Sequence, residues 1–154
     1  MKGVFKNARS HISSLGRLFD KRGDITYVIT ILLMELGFPS HLLGFSFLVD
    51  AIEIFEEDFK SIVLYGLYPC IAKRYDKKID SKNIEQTIRD AIKKAWESRD
   101  KVIWSYYFPK GKKPSNEEFI AQIARILHLW KGSCEAQKDR TERQKEEEFY
   151  ELRQ

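Results

Sequence analysis

Between Lys82 and Lys93 the chain carries, in one short stretch, side chains able to hydrogen-bond the edges of nucleic-acid bases: Lys82, Asn83, Gln86, Arg89 and Asp90. Asn or Gln can engage adenine with donor and acceptor together, Arg or Lys can engage guanine, and lysines can also hold phosphates. Apolar residues punctuate the stretch at a helical period. Ile84, Ile88, Ala91, Ile92 and Ala95 fall at i, i+4, i+7, i+8 and i+11. That spacing gathers them on one side of a helix and turns Lys82, Asn83, Gln86, Arg89, Asp90 and Lys93 to the other. A helix lying in the major groove needs such an outward face. A plain surface helix with a solvated polar side would show the same pattern.

The elements that would position this face precede it closely. Leu67 to Tyr75 reads as a short helix, with Pro69 tolerated in its first turn. A polar turn from Asp76 to Ser81 follows, and Asp80 or Ser81 can cap the second helix, which ends at Trp96. Two short helices joined this way are the arithmetic of a helix-turn-helix, which makes double-stranded DNA the expected partner. Beyond a further helix over Lys101–Phe108 lies the loop Pro109-Lys110-Gly111-Lys112-Lys113-Pro114. Its three lysines, with Lys77 and Lys78 of the turn and Lys93, are the candidate phosphate contacts.

Charge distribution agrees with this placement. The net charge of +4 is modest, but the segments carry +5 over 1–23, −5 over 24–76, +6 over 77–113, 0 over 114–132 and −2 over 133–154. The second basic concentration covers the candidate helix and the lysine loop.

Everywhere else the apolar spacing is also helical, and no window of five residues alternates as a strand would. The expected fold is all-α. Asp24 caps a strongly apolar helix, Ile25–Leu36, stopped by Gly37 and Pro39. Ser40 is positioned to cap a helix from about His41 to Phe55 with a stripe of Leu42, Phe45, Leu48, Val49, Ile52 and Phe55. Its other side, Asp50, Glu53, Glu56 and Glu57, reads as a solvated acidic face. A further helical piece covers 59–66. Ser115-Asn116-Glu117-Glu118 is a capping box opening a last core helix with Phe119, Ile120, Ile123, Ile126 and Leu127, and Gly132 closes the compact part.

Three regions follow: a basic amphipathic N-terminal segment over 1–23, a compact helix-turn-helix unit over 24–131, and a charged C-terminal helix or disordered tail over 132–154. Cys70 and Cys134 lie outside any pairing or ligand spacing, so free thiols in a reducing cytoplasm are expected. No apolar run reaches the length of a membrane span. His11, His41 and His128 are scattered, and no nucleophile, metal-ligand set or phosphate loop accompanies the carboxylates. The expectation is therefore no enzyme, no metal, no cofactor and no membrane partner.

From Ile25 to Leu129 the chain resembles the C-terminal DNA-binding effector domain of stage 0 sporulation protein A, the master sporulation transcription factor of endospore-forming bacteria. The stretches that carry the resemblance occur in order. They are Glu35-Leu36-Gly37-Phe38-Pro39-Ser40-His41 with Gly44-Phe45 and Leu48, then Leu67-Tyr68-Pro69 with Ile71-Ala72-Lys73. Ile88-Arg89 with Ala91-Ile92 and Ala95-Trp96 follow, and finally Lys113-Pro114-Ser115-Asn116 with Glu118-Phe119-Ile120-Ala121.

The resemblance implies an all-helical domain with an embedded helix-turn-helix that binds short DNA boxes as tandem domains and contacts RNA polymerase sigma factor. It also implies base-reading roles for Glu85 and Arg89. Asn83 and Gln86 stand where the family has arginines and Asp90 where it has a histidine, so adenine is favoured over guanine at the changed positions. The turn reads about two residues longer than the family's, and the segment from Glu97 to Lys113 reads shorter. About two dozen residues replace the family's receiver domain, so control by phosphorylation in cis is not expected.

The function expected is a cytoplasmic, sequence-specific transcriptional regulator that inserts residues 82–96 in the major groove. The competing expectation is a protein-interaction module, such as an antagonist of a homologous regulator, that keeps the fold and no longer reads DNA.

Overall fold

The computed structural model describes residues 24–75 and 79–153. The amphipathic pattern expected over 1–23 and the candidate phosphate contacts Lys77 and Lys78 lie outside the described residues. Those described form seven α-helices: α1 Ile25–Glu35, α2 Leu43–Glu57, α3 Phe59–Tyr65, α4 Leu67–Ala72, α5 Ser81–Glu97, α6 Lys101–Tyr107 and α7 Asn116–Leu152. The fold is all-α. None of these helices is long and apolar enough to cross a membrane.

Local signals account for most helix starts. The Asp24 carboxylate accepts from the Thr26 and Tyr27 amides, Asp80 from Lys82, and Asp100 from Val102 and Ile103. Ser115 and Glu118 form a complete capping box at the start of α7. α2 departs from expectation. It begins at Leu43, without a side-chain cap, because the chain first closes a turn in which the Leu42 amide donates to the Pro39 carbonyl at 3.3 Å. Ser40 thus lies in that turn and caps nothing. α3 and α4 meet at Gly66, whose φ of 87° only glycine adopts without strain.

α2 is the hub, packing against α1, α3, α4, α5 and α7. Its buried set, Phe45, Phe47, Leu48, Ala51, Ile52 and Ile54, covers about half of its circumference, wider than the single stripe its spacing predicts. Gly44 is where α2 passes closest to α5: a Cβ there would stand 2.9 Å from Ala91 Cβ and 3.3 Å from the Thr87 carbonyl oxygen. The other end of the core is aromatic. Phe38 meets Phe119 edge-on at 5.3 Å, Phe108 stacks on Phe119 at 5.2 Å, and Trp104 meets Trp96 edge-on at 5.7 Å. The buried Trp104 indole donates to the Leu36 carbonyl at 3.0 Å, fastening α6 to the end of α1.

α7 does not stop at Gly132. It continues as one helix through that residue to Leu152.

Candidate nucleic-acid interface

The two sides of α5 separate as their spacing predicts. Ile84, Ile88, Ile92 and Ala95 are buried, and Ala91 packs half-buried beside them. Lys82, Asn83, Gln86, Arg89, Asp90 and Lys93 are exposed, with Glu85 half-buried at the boundary. The polar side is internally connected. Arg89 Nη1 donates to Gln86 Oε1 at 2.9 Å and Nη2 to Glu85 Oε1 at 3.0 Å, while Gln86 Nε2 donates to Asp90 Oδ1 at 2.9 Å.

α4 and α5 are the two helices of the expected helix-turn-helix, and residues 76–78 of the segment joining them lie outside the described residues. α4 ends at Ala72, earlier than the expected Tyr75. The Arg74 and Tyr75 amides bond three residues back, to the Ile71 and Ala72 carbonyls, which tightens the chain out of the α-helix. Their side chains are drawn to α2: Arg74 Nη1 donates to Asp50 Oδ1 at 3.0 Å and Glu53 Oε2 at 2.6 Å, and the Tyr75 hydroxyl donates to Asp50. Burial pulls the Arg74 pKa down, but the Glu53 and Asp50 carboxylates outweigh it and the net shift is upward.

The acidic side of α2 is therefore solvated, as its composition predicts, only at the exposed Glu57. Asp50 and Glu53 side chains are only 19% and 13% exposed. Thr26 donates to Glu53, and Glu56, 11% exposed, pairs with His128 at 3.1 Å. These carboxylates clasp the turn and α7 to the hub.

A second junction fixes α5 against the start of α7. Buried Asn116 donates through Nδ2 to the Glu85 carbonyl at 2.9 Å and to the Tyr68 hydroxyl at 3.1 Å, and Tyr68 donates onward to Glu117 at 2.9 Å. Burial raises the Tyr68 pKa, and the Glu117 hydrogen bond raises it further against the opposing bond from Asn116. One asparagine thus ties together α4, α5 and α7. The sequence marks Asn116 as part of a capping box and of a family stretch, but neither junction carries a local signal.

The lysine loop turns at Gly111, φ 67°, and distributes its cations over two clefts. Lys113 shares a cleft of about 360 Å³ with Arg89, at the α5 face. Lys110 and Lys112 instead line a larger cleft, about 610 Å³, between the loop and α7, where Arg125 joins them. The structure thus brings Lys113 beside the candidate base-reading helix and sets Lys110 and Lys112 to its flank, with Lys93 one turn beyond Arg89.

Among the described residues no group of three His, Cys, Asp or Glu side chains could hold a metal ion. Cys70 is buried, its thiol 3.5 Å from the Ser61 carbonyl. What the architecture offers is a helix-turn-helix with a polar outward face and flanking cations. Residues 29–127 match the family model described as sporulation initiation factor Spo0A C terminal, a family of DNA-binding transcription factor domains rather than enzymes, and the chain belongs to that family.

Proposed function

We propose that this protein is a sequence-specific transcriptional regulator that inserts α5 in the major groove of duplex DNA. The observation that carries the reading is the split of α5 into a buried apolar side and a largely exposed side of base-reading chemistry, with Lys113 beside Arg89. In this reading Lys82, Asn83, Glu85, Gln86, Arg89 and Asp90 address base edges. Lys93, Lys110, Lys112 and Lys113 grip phosphates, as do Lys77 and Lys78 of the turn. Two copies bound in tandem and the RNA polymerase sigma factor are the protein partners it carries, and the nucleoid is its place of action.

Titrating labelled duplex DNA with the protein across a salt series tests it. Four to six phosphate contacts give a log–log salt slope of about −4 to −5. Arg89→Ala combined with Gln86→Ala should reduce sequence preference more than non-specific affinity. Absence of binding at low salt, or indifference to both substitutions, refutes the reading.

A second reading, a protein-interaction module that does not read DNA, is favoured by one observation: α3 exposes Phe59, Val63, Leu64 and Tyr65 together. Retention of a homologous regulator or a polymerase subunit by the purified protein, with no DNA shift, distinguishes it.

A further inference from the structure

We propose that Asp90 is a specificity-determining residue that acts with Gln86, holding its amide in the orientation that reads adenine and offering beside it an acceptor that rejects guanine. The inference rests on the reading of α5 as the groove-inserted helix.

The hydrogen-bond lattice itself fixes how Gln86 points. Its Oε1 accepts from the Arg89 guanidinium and its Nε2 donates to the Asp90 carboxylate, both at 2.9 Å. Exchanging the amide oxygen and nitrogen would set NH2 against a guanidinium, which has only donors, and C=O against a carboxylate, which has only acceptors. Only one orientation is compatible with both neighbours.

That orientation leaves a defined pattern for a base edge. Beside each other remain the second Nε2 hydrogen of Gln86, a donor, and the second oxygen of Asp90, an acceptor. Adenine presents the complement in the major groove, the N7 acceptor and the N6 donor, whereas guanine presents two acceptors, N7 and O6. The Asp90 carboxylate facing guanine O6 would be left without a donor and repelled.

Charge works in the same direction. Glu85, Arg89 and Asp90 together carry a net charge of −1 on the middle of a face flanked by Lys82 and Lys93. Arg89 is bonded on both terminal nitrogens by side chains of its own helix, so its charge is largely neutralised toward phosphate. The lattice therefore lowers affinity for arbitrary sequence while leaving the free Gln86 hydrogen and the second Asp90 oxygen available to a matching one. Asp90 thus has two roles: it positions the Gln86 amide, and its second oxygen is the acceptor that adenine N6 meets.

The test uses the full chain and a pool of duplexes with a randomised core. Bound sequences are selected and sequenced, then affinities are measured for the best duplex, for the same duplex with A·T changed to G·C at the selected step, and for an unrelated duplex. Wild type is expected to favour adenine over guanine at that step about tenfold. Asp90→Ala should reduce the ratio to about threefold or less and bind the unrelated duplex several-fold tighter, with an unchanged melting temperature. Asp90→Asn, which keeps an acceptor for Gln86 but sets an NH2 donor where the second oxygen stood, should lose the adenine preference at least as far as Asp90→Ala and turn it toward guanine, while gaining the same non-specific affinity. Sequence selection by wild type with an identical ratio in Asp90→Ala overturns this inference alone. Failure of wild type to bind any duplex at low salt overturns the groove-insertion reading and this inference with it.

Discussion

Replacing Gly44 with alanine tests whether α2 sets the position of α5. The added Cβ would lie 2.9 Å from Ala91 Cβ and 3.3 Å from the Thr87 carbonyl oxygen. Carbon atoms in good contact stand about 3.5–4.0 Å apart, so the two helices must separate by about 0.6 Å or more. Neither contact is the end of a flexible side chain, and the cost falls on backbone. Overpacking of this kind costs about 1–3 kcal/mol. Alanine regains part of the roughly 1 kcal/mol helix preference over glycine, less than the full amount because Gly44 lies in the first turn of α2. A net loss of about 1–2 kcal/mol follows, or about 2–8 °C in melting temperature for a chain of this size.

The same displacement has a second readout. The Asn116–Glu85 bond at 2.9 Å would stretch toward the limit of about 3.5 Å, loosening α5 where it faces outward. Thermal unfolding by circular dichroism and DNA titration should both register the change. Ala91→Gly in the Gly44→Ala background removes the closest contact and should recover about 1 kcal/mol relative to additive behaviour. If Gly44→Ala melts at or above wild type, or the double variant is additive, close packing at this crossing does not position α5.

Two further outcomes follow from buried polar groups. Asn116→Ala removes two donated bonds and should lower stability by about 1–2 kcal/mol, measured by denaturant titration, with amide exchange accelerated in α5. The Tyr107 hydroxyl is enclosed with no hydrogen-bond partner among the described residues, so Tyr107→Phe should be neutral or stabilise by about 1 kcal/mol in the same assay. Burial, and secondarily the Glu35 charge, raises the Tyr107 pKa. Folding therefore keeps this tyrosine neutral when the unfolded chain ionises near pH 10, and stability present below that pH is lost as pH rises toward the higher folded value. A phenylalanine ring has no proton to lose, so denaturant midpoints measured from about pH 9 to 11 should fall less steeply for Tyr107→Phe than for wild type.

What the sequence made legible was local. The two faces of α5 follow from a period of 3.6 over one element, and the caps at Asp24, Asp80 and Ser115 each involve residues within three positions of one another. The junctions that hold α5 in place are not local. Arg74 meets Glu53 across 21 residues and Asn116 meets Tyr68 across 48, and no periodicity announces such pairs. For the same reason Asp50, Glu53 and Glu56 read as solvated: their charge was visible and their partners were not. Gly132 illustrates a different limit. A glycine past an apolar run can mark either the end of a helix or only the end of its buried part, and here it lies within α7 with open space around it, costing the helix about 1 kcal/mol without ending it. The helix-turn-helix chemistry was legible as residue types, while the lattice joining Glu85, Gln86, Arg89 and Asp90 required side-chain geometry.

The continuity of α7 bears on how the molecule moves through solution. Its 37 residues extend about 55 Å at 1.5 Å per residue, and the part beyond Trp130 accounts for about 33 Å of that. A compact chain of this length has a radius of gyration of about 15 Å. A rod more than twice that long, attached to one side, adds friction out of proportion to its mass. The 18.2 kDa monomer should leave a sizing column early, at the volume of a heavier compact protein. An oligomeric state assigned from elution volume alone would mistake elongation for mass, whereas sedimentation equilibrium weighs the particle regardless of its shape.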